Sequence, residues 1–240
     1  MYKTLAPYYD YLGWAEFTDR IWPLLNDFFR MIGSPPLRFL DIACGTGVLT
    51  SLLADIGVKV TGIDICQEMI RVAEAKSYEV EPVFHVANMC DFTLEDSFPV
   101  TACFYDALNH LSTEEQLASA FRCAAKHTET DGYYVFDLLT ENGLRMWEPY
   151  FSQKADEYMV SQRGFFDAEN GAITIKVEAF VRSDSGEVTF IDERLHERAF
   201  NMDFVKQSLA EAGFTKFSFR PFSPDESLET AGRLFAVCKK

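Results

Sequence analysis

The chain has 240 residues and a mass of 27.3 kDa, which is enough for one large domain or for one domain with an insertion. Hydrophobic residues make up 48% and charged residues 25% of the sequence, which argues against a disordered, collagen-like or coiled-coil chain. The net charge of −15 would repel the phosphates of nucleic acids and anionic membranes. We therefore expect no nucleic-acid or membrane partner.

The sequence has neither a membrane span nor a secretion signal. No apolar run approaches the roughly 20 residues that cross a bilayer. The first residues lack the basic and apolar stretches of a secretory signal, which predicts a cytoplasmic protein. The six cysteines are scattered without a C-x-x-C pair, so we expect reduced thiols.

Residues 1–32 are predicted to form an N-terminal helical lid segment. The pattern is helical after Trp14, and Pro23 is expected either to start or to kink a helix. The aromatic cluster before it, from Tyr8 to Trp14, could cover a cationic ligand or could simply pack.

Strand and helix patterns alternate from residue 37 onward. The runs RFLDIA, VKVTGID, PVFHVA and FPVTACFYD have the short apolar pattern of buried strands, and VLTSLLADI and QEMIRVAEAK have helical spacing. This order predicts parallel strands joined by crossover helices, which is a doubly wound α/β sheet.

The second half of the sheet is predicted from helix caps and two closing strands. Residues 112–115 have the S-x-x-E form of a capping box, so a helix should begin there and lead to the strand YYVFDLL. A later helix should be capped by Asn201 and end at Gly213. The strands FTKFSFRPF and RLFAVCKK then complete a seven-stranded, mostly parallel sheet.

The pattern between these parts changes to a period of two. Ile173, Ile175 and Val177 alternate with polar residues, and turn residues lie at Asn170-Gly171 and at 184–186. We predict an inserted antiparallel β unit at 151–200, with three strands in 155–200. The α/β domain would then comprise 33–150 and 201–240. The unit could be a substrate lid or a homodimer interface.

The central motif is LDIACGTG, followed by Asp64 at the end of the next strand. Glycines between a strand and a helix let a ligand approach the backbone, and an acid on the second strand suits ribose hydroxyls. Thr50 stands where a dinucleotide site needs a third small residue. Asp41 would repel a pyrophosphate and attract an ammonium group. The pattern favours an adenosine ligand that carries a cation, such as S-adenosylmethionine.

These motifs resemble those of the class I S-adenosylmethionine-dependent methyltransferases, which have a Rossmann-like fold. LDIACGTG, GIDICQEMI, ANMCDF and FPVTACFYDALNHL are similar to the first four motifs of that family. The resemblance implies that Asp41, Gly45 and Gly47 hold the methionine part, that Asp64 holds the ribose, and that Ile65 and Met89 enclose the adenine. Asn88 replaces a frequent aspartate. The full predicted cofactor set is Tyr9, Asp41, Ala43, Gly45, Gly47, Asp64, Ile65, Met69, Asn88, Met89 and Tyr105.

Two candidate bases follow the fourth strand, where ligands bind in open α/β sheets. His110 is the first candidate and Asp106 the second, because either could take a proton from an acceptor. His110 could instead only shape the turn before the next helix. His196 lies in a segment rich in charged residues. This segment is expected to be a solvated strand face, and the alternative is that it lines an acceptor pocket. His85 is expected in a strand core and His127 at a helix end. No metal site is predicted.

We therefore predict transfer of a methyl group from S-adenosylmethionine to a nitrogen or oxygen of a small-molecule acceptor, with S-adenosylhomocysteine as the product. Two alternatives stay open. A module could bind S-adenosylmethionine without catalysis, and a nicotinamide-dependent oxidoreductase would use a similar loop, although Asp41 and Thr50 argue against it.

Overall fold

The computed structural model describes residues 2–183 and 185–240, which form two sheets. The larger sheet has seven strands and the smaller one has four. This confirms the predicted mixed α/β fold with an inserted antiparallel unit. Among the described residues, no helix is long and apolar enough to cross a membrane.

The seven-stranded sheet has the order β10-β11-β5-β4-β1-β2-β3. Strands β1 to β5 are parallel, and β11 is antiparallel to both β5 and β10. Its strands are β1 (Arg38–Ile42), β2 (Lys59–Asp64), β3 (Val83–Val86), β4 (Phe98–Cys103), β5 (Thr128–Leu139), β10 (Lys216–Pro221) and β11 (Arg233–Lys239). The chain order turns back between β1 and β4, so a ligand crevice is expected at the carboxyl ends of these strands.

Helices cover both faces of this sheet and join most of its strands. They are α1 (Thr18–Ile32), α2 (Val48–Asp55), α3 (Gln67–Glu74), α4 (Glu114–His127), α5 (Glu141–Arg145) and α6 (Met202–Ala212). One core layer includes Leu40, Phe121 and Phe136, and the layer on the other face includes Phe39 and Val135. Asn201 caps α6, and Gly213 takes a left-handed conformation after it, as the sequence predicts.

Helix α1, which falls in the predicted lid segment, packs in the hydrophobic core. Its buried face, which includes Ile21, Leu25 and Phe28, packs in the same cluster as Phe39 of β1. The helix begins at Thr18, so Pro23 lies inside it and does not start it. At this sixth position the proline has no N–H to donate to the carbonyl of Asp19, so the helix lacks one backbone hydrogen bond there.

The capping box of α4 is one residue later than predicted. Thr113, and not Ser112, is the N-cap, and its hydroxyl accepts from the backbone N–H of Gln116 at 3.2 Å. The Gln116 side chain in turn accepts from the backbone N–H of Thr113 at 3.2 Å. The T-x-x-Q pattern satisfies the same backbone donors as S-x-x-E, so the predicted helix is right and the capping residue was wrong.

The inserted unit has four strands, because a short strand precedes the three predicted ones. These strands are β6 (Phe151–Lys154), β7 (Tyr158–Asp167), β8 (Ala172–Arg182) and β9 (Val188–Arg198), in the order β6-β7-β8-β9. The alternating apolar residues of β8 are buried, and this face packs on Leu5 and Leu12 of the N-terminal segment. The predicted turn at 184–186 includes Asp184, which lies outside the described residues.

Two histidines of the main sheet and its helices differ in burial. His85 is exposed on β3, the edge strand of the sheet, so its predicted place in a strand core was wrong. His127 ends α4 as predicted and is buried, where its ring stacks on Phe92. Among the cysteines, four are buried, whereas Cys90 and Cys123 are half-buried, and all are free thiols.

Candidate functional site

A cavity of about 270 Å³ lies at the carboxyl ends of β1, β2 and β4. Most of the predicted site residues meet there although they come from distant parts of the sequence. The predicted residues that line it are Tyr9, Asp41, Ala43, Gly45, Asp64, Ile65, Met69, Asn88, Met89, Tyr105 and His110. Gly47 and Asp106 are not among the lining residues.

The loop after β1 turns sharply and exposes its backbone to the cavity. Ala43, Gly45 and Gly47 all have positive φ angles, of 59°, 54° and 75°. A Cβ atom at Gly45 would meet no atom within 4 Å, so the space beside it is open to a ligand. A Cβ at Gly47 would lie 2.9 Å from the Tyr78 hydroxyl. Glycine at position 47 is therefore favoured by its φ of 75° and by the close packing behind the loop.

Asp64 holds this loop in place. Its Oδ2 accepts from the backbone N–H of Gly45 at 2.9 Å, and its Oδ1 accepts from that of Cys66 at 2.8 Å. Burial raises the pKa of Asp64, while these two hydrogen bonds act in the opposite direction. The carboxylate thus joins the ends of β1 and β2 and faces the cavity.

Asp41 is buried at the end of β1, with only 3% of its surface exposed. Its Oδ2 accepts from the Thr50 hydroxyl at 2.8 Å. Burial raises the pKa of Asp41 to about 7. Thr50 therefore has a specific role as the donor to Asp41, which sequence patterns did not reveal.

The far end of the cavity is lined by the segments after β2 and β3. Ile65 is 64% exposed, whereas Met69 is buried below it on α3. The side-chain oxygen of Asn88 accepts from the backbone N–H of Cys90 at 3.0 Å, which fixes the turn that carries Met89. Ile65, Met69 and Met89 give this part of the cavity an apolar lining, which suits a flat ring.

The N-terminal segment from Tyr2 to Phe17 covers the cavity. Tyr2 and Tyr9 line it, and their rings meet edge to face at 5.8 Å. Asp10 ties the segment to the main domain, because it accepts from the Thr46 hydroxyl and from Lys76 Nζ, each at 2.6 Å. The segment also reaches the inserted sheet, where Glu193 accepts from the backbone N–H groups of Tyr2, Thr4 and Leu5.

The turn after β4 is held in a strained conformation by a buried ion-pair network. Tyr105 and Asp106 both have left-handed backbones, with φ of 65° and 48°. The backbone N–H of Asp106 donates to the carboxylate of Asp137 on β5. Arg233 on β11 pairs with Asp106 at 2.7 Å and also with Asp137. Such strain persists only where the surroundings enforce it, and it is common at functional sites.

His110 lies at the end of the cavity with both ring nitrogens engaged. Its Nδ1 is 2.9 Å from the backbone carbonyl of His196, and its Nε2 is 3.0 Å from the Tyr2 hydroxyl. Because a carbonyl can only accept, Nδ1 carries the proton, and Nε2 accepts from Tyr2. Burial lowers the pKa of His110, which favours the neutral ring with its lone pair on Nε2.

Glu197 is a site residue that sequence reasoning missed. It is only 4% exposed, and its Oε1 lies 4.0 Å from His110 Nε2. Burial and the charge of Asp106 raise its pKa well above the usual range. The run around His196 was expected to be a solvated strand face. That is right for the outer residues of β9 and wrong for Glu197, because strand alternation turns it inward.

Other site residues were missed because their role depends on contacts distant in sequence. Asp137 is fully buried within the apolar run YYVFDLL, and a lone acid in such a run is the signal that could have identified it. Arg233 and Tyr2 have no comparable local signal.

A second cavity, of about 420 Å³, lies between the 109–112 turn and the inserted sheet. Its walls include Thr174, His196 and Arg198 from β8 and β9. His110, Leu111 and Ser112 line both cavities and so form the wall between them. His196 is exposed on β9 and lines this cavity, so both of its predicted environments, a solvated strand face and an acceptor pocket, stay open.

Comparisons with known proteins agree with this geometry. A family model described as a methyltransferase domain matches residues 39–132. A Geobacillus protein (strain WCH70) named as a methyltransferase is 29% identical over all of this chain and 99% of its own length. The dTDP-3-amino-3,6-dideoxy-alpha-D-glucopyranose N,N-dimethyltransferase of Streptomyces fradiae is 26% identical over 77% of this chain and 72% of its own length.

Solved structures share the fold. DesVI of Streptomyces venezuelae superposes with a TM-score of 0.76 at 20% identity, and the match covers 97% of each chain. An amino pentose methyltransferase from Micromonospora echinaspora, solved with S-adenosylmethionine bound, gives 0.68 at 18% identity over 90% of this chain and 89% of its own. With the loop after β1, Asp64 and the sheet order described above, these matches lead to one assignment: residues 39–132 match a methyltransferase domain, and the chain is an S-adenosylmethionine-dependent methyltransferase with a Rossmann-like fold.

Proposed function

We propose that this methyltransferase acts on a nucleophilic nitrogen or oxygen of a small molecule. The observation that carries the proposal is the wall that His110, Leu111 and Ser112 form between two cavities. One cavity would hold the cofactor and the other the body of the acceptor, so that the reacting groups meet beside His110. The small-molecule relatives named above support this acceptor class.

The residues of the first cavity fit S-adenosylmethionine. The open space beside Gly45 accommodates the methionine part, Asp64 is placed for ribose hydroxyls, and Asp41 for an ammonium group. Ile65 and Met89 would enclose the adenine. When bound, the cofactor supplies an electrophilic methyl group on a sulfonium. The protein then has to orient the acceptor, exclude water and accept a proton.

His110 would accept that proton. The negative charge of Asp106 would stabilise the protonated ring of His110. Nε2 of His110 carries the lone pair, and the lowered pKa keeps the ring neutral; the Tyr2 hydroxyl that donates to Nε2 would have to give way to the acceptor. Asp106 is paired with Arg233, which supports a positioning role for it more than a role as the base itself.

The N-terminal segment would act as the lid, because Tyr2 and Tyr9 lie over the cavity and Asp10 fastens the segment to the glycine loop. A lid of this kind would exclude water from a reactive sulfonium. We assign the lid to the residues before α1, since α1 itself packs in the core.

The inserted sheet has two proposed roles, in acceptor binding and in pairing two copies of the chain. Its residues wall the second cavity, which supports the first role. Its outer face exposes Met159, Phe180 and Phe190, which supports a homodimer. The free thiols and the absence of a spanning helix among the described residues support the cytoplasmic location that we propose.

The experiment that tests this function is methyl transfer from radiolabelled S-adenosylmethionine. The full-length protein is incubated with separate panels of small amines, phenols and alcohols, and the labelled product is separated from the cofactor. We expect label in at least one small molecule together with an equal amount of S-adenosylhomocysteine. Label incorporated only into protein or nucleic acid would contradict the proposal.

A further inference from the structure

A buried carboxyl group beside His110 has no donor to satisfy it. Oε2 of Glu197 is fully buried, and none of the described residues donates a hydrogen bond to it. A carboxylate oxygen of Asp106 lies within 4.8 Å of one of Glu197, but a carboxylate is also an acceptor. Two facing acceptors require a proton or a cation between them.

The charges around this point are unbalanced. Asp106, Asp137 and Glu197 are buried together, and Arg233 is the one guanidinium that the structure shows pairing with them. His110 is neutral, with its proton on the nitrogen that faces away from Glu197. A further positive charge would therefore be stabilised here, since buried carboxylates are costly unless they are paired.

We propose that Glu197, with Asp106 and His110, forms a subsite for the alkylammonium group of the acceptor. This proposal rests on the proposed methyl transfer and narrows its acceptor to an amine. An ammonium brings several N–H donors and a positive charge, whereas a hydroxyl brings one donor and no charge. Glu197 and His110 both line the second cavity, and His110 also lines the first, so an amine held here would face both.

Binding of the ammonium involves two proton transfers. An ammonium next to Glu197 favours the carboxylate, so a proton leaves Glu197 for the solvent as the cation binds. The bound ammonium then transfers one proton to the Glu197 carboxylate, and the nitrogen keeps the electron pair. The neutral amine is the species that can accept a methyl group.

A divalent metal fits the same three residues less well. Their ligand atoms lie within 4.8 Å of one another, which is close enough for coordination. However, Asp106 is already paired with Arg233 at 2.7 Å, and Nε2 of His110 already accepts from Tyr2. A divalent ion coordinated by all three residues would have to displace both contacts, whereas an ammonium can donate to the unpartnered Oε2 of Glu197 and leave both contacts in place.

The test is an NMR titration of the full-length protein with methylammonium chloride. The signal that is monitored is the Cε1 proton of His110. The protein has 4 histidines, so this signal is assigned by its loss in His110→Gln. Sodium chloride is the control for ionic strength and methanol is the control for shape. The titration is carried out with and without S-adenosylhomocysteine. We expect a saturable shift with methylammonium only.

Three variants make the test specific. Glu197→Gln and Glu197→Met keep the volume and remove the charge, and each should weaken methylammonium binding by about 30-fold or more. Two uncharged replacements are used so that one folding failure does not decide the result. Asp192→Asn, an exposed carboxylate on the same strand, should leave binding unchanged.

Equal affinity in the parent and the Glu197 variants would overturn the subsite, as would an equal shift with methanol. A saturable shift with magnesium or zinc chloride at lower concentration than methylammonium would replace it with a metal site. Failure to bind S-adenosylhomocysteine would contradict the proposed function instead, and the titration without it would still decide whether the ammonium subsite exists.

Discussion

The hydroxyl of Tyr2 lies 3.0 Å from Nε2 of His110, which joins the second residue of the chain to the turn after β4. Nδ1 of the same ring donates to the carbonyl of His196 on the inserted sheet. One imidazole thus contacts the N-terminal segment and the inserted sheet from its place in the α/β domain. The lone pair that would accept a proton is covered by a residue of the proposed lid.

Replacing Tyr2 with phenylalanine should raise the pKa of His110. The Tyr2 hydroxyl stabilises the neutral ring by donating to Nε2, so its loss favours protonation, by about 0.5–1 pH unit. In the parent protein burial lowers this pKa. The measurement is an NMR pH titration of the His110 signal.

Tyr8→Phe is the matched control for this variant, because the Tyr8 hydroxyl bonds to Thr189 and not to His110. It should leave the His110 titration unchanged. If both tyrosine variants titrate like the parent, Tyr2 does not donate to His110 in solution.

Asp41→Asn should stabilise the free protein at high pH. The pKa of Asp41 is raised from 3.8 to about 7 in the folded state, so the unfolded chain ionises first. Folded stability is therefore complete below the unfolded pKa and is lost as pH rises through the folded one. Above pH 7 the asparagine variant should be more stable by about 2–4 kcal/mol. Chemical denaturation at several pH values measures this difference.

The same variant should bind S-adenosylmethionine more weakly, because it removes the charge placed for the ammonium group. Asp55→Asn, at the exposed end of α2, is the control and should change neither property. A difference in stability that does not grow with pH would mean that Asp41 is ionised without cost in the folded protein.

Gly45→Val should fold but lose cofactor binding. A side chain at Gly45 would project into open space in the cavity and would also be strained by a φ of 54°. Gly57→Val carries similar strain at a φ of 85°, also in open space, but lies in the turn after α2. Circular dichroism and calorimetric binding are measured on both proteins. Normal binding by folded Gly45→Val would remove the loop from the site.

Asp64→Ala should weaken S-adenosylmethionine binding far more than Asp55→Ala. The alanine removes the acceptor placed for the ribose and also the two backbone hydrogen bonds that hold the loop. We expect a loss of roughly 2–4 kcal/mol in binding free energy for Asp64→Ala and no change for Asp55→Ala. Isothermal titration calorimetry measures both, and equal affinities would contradict the assignment of Asp64.

The main sheet could be predicted from the sequence because its signals are local. Short apolar runs indicate strands from neighbouring residues alone. In the same way, Asn201 marks the beginning of α6 and Gly213 marks its end. The same holds for the glycine loop, whose geometry depends on neighbouring φ angles. Its partner Asp64 could be found because it closes the next strand.

The missed residues depend on contacts that are distant in sequence. Glu197 looks like part of a solvated charge run until the inserted sheet packs its inner face against the N-terminal segment. Arg233 and Asp137 are 96 positions apart and meet only because β11 pairs with β5. The sequence predicts Asp41 as a charged group without a partner. Its partner Thr50 could not be identified, because the dinucleotide pattern shows only that this position is not a small residue.

The most direct test of the proposed cofactor is a calorimetric titration of the purified full-length protein with S-adenosylmethionine, S-adenosylhomocysteine and NAD, each under the same conditions. Asp41 and the cavity beside Gly45 favour an adenosine ligand that carries an ammonium group and no phosphates. We predict saturable binding of S-adenosylmethionine and S-adenosylhomocysteine and no detectable heat from NAD. Binding of NAD with neither of the other two would contradict the account.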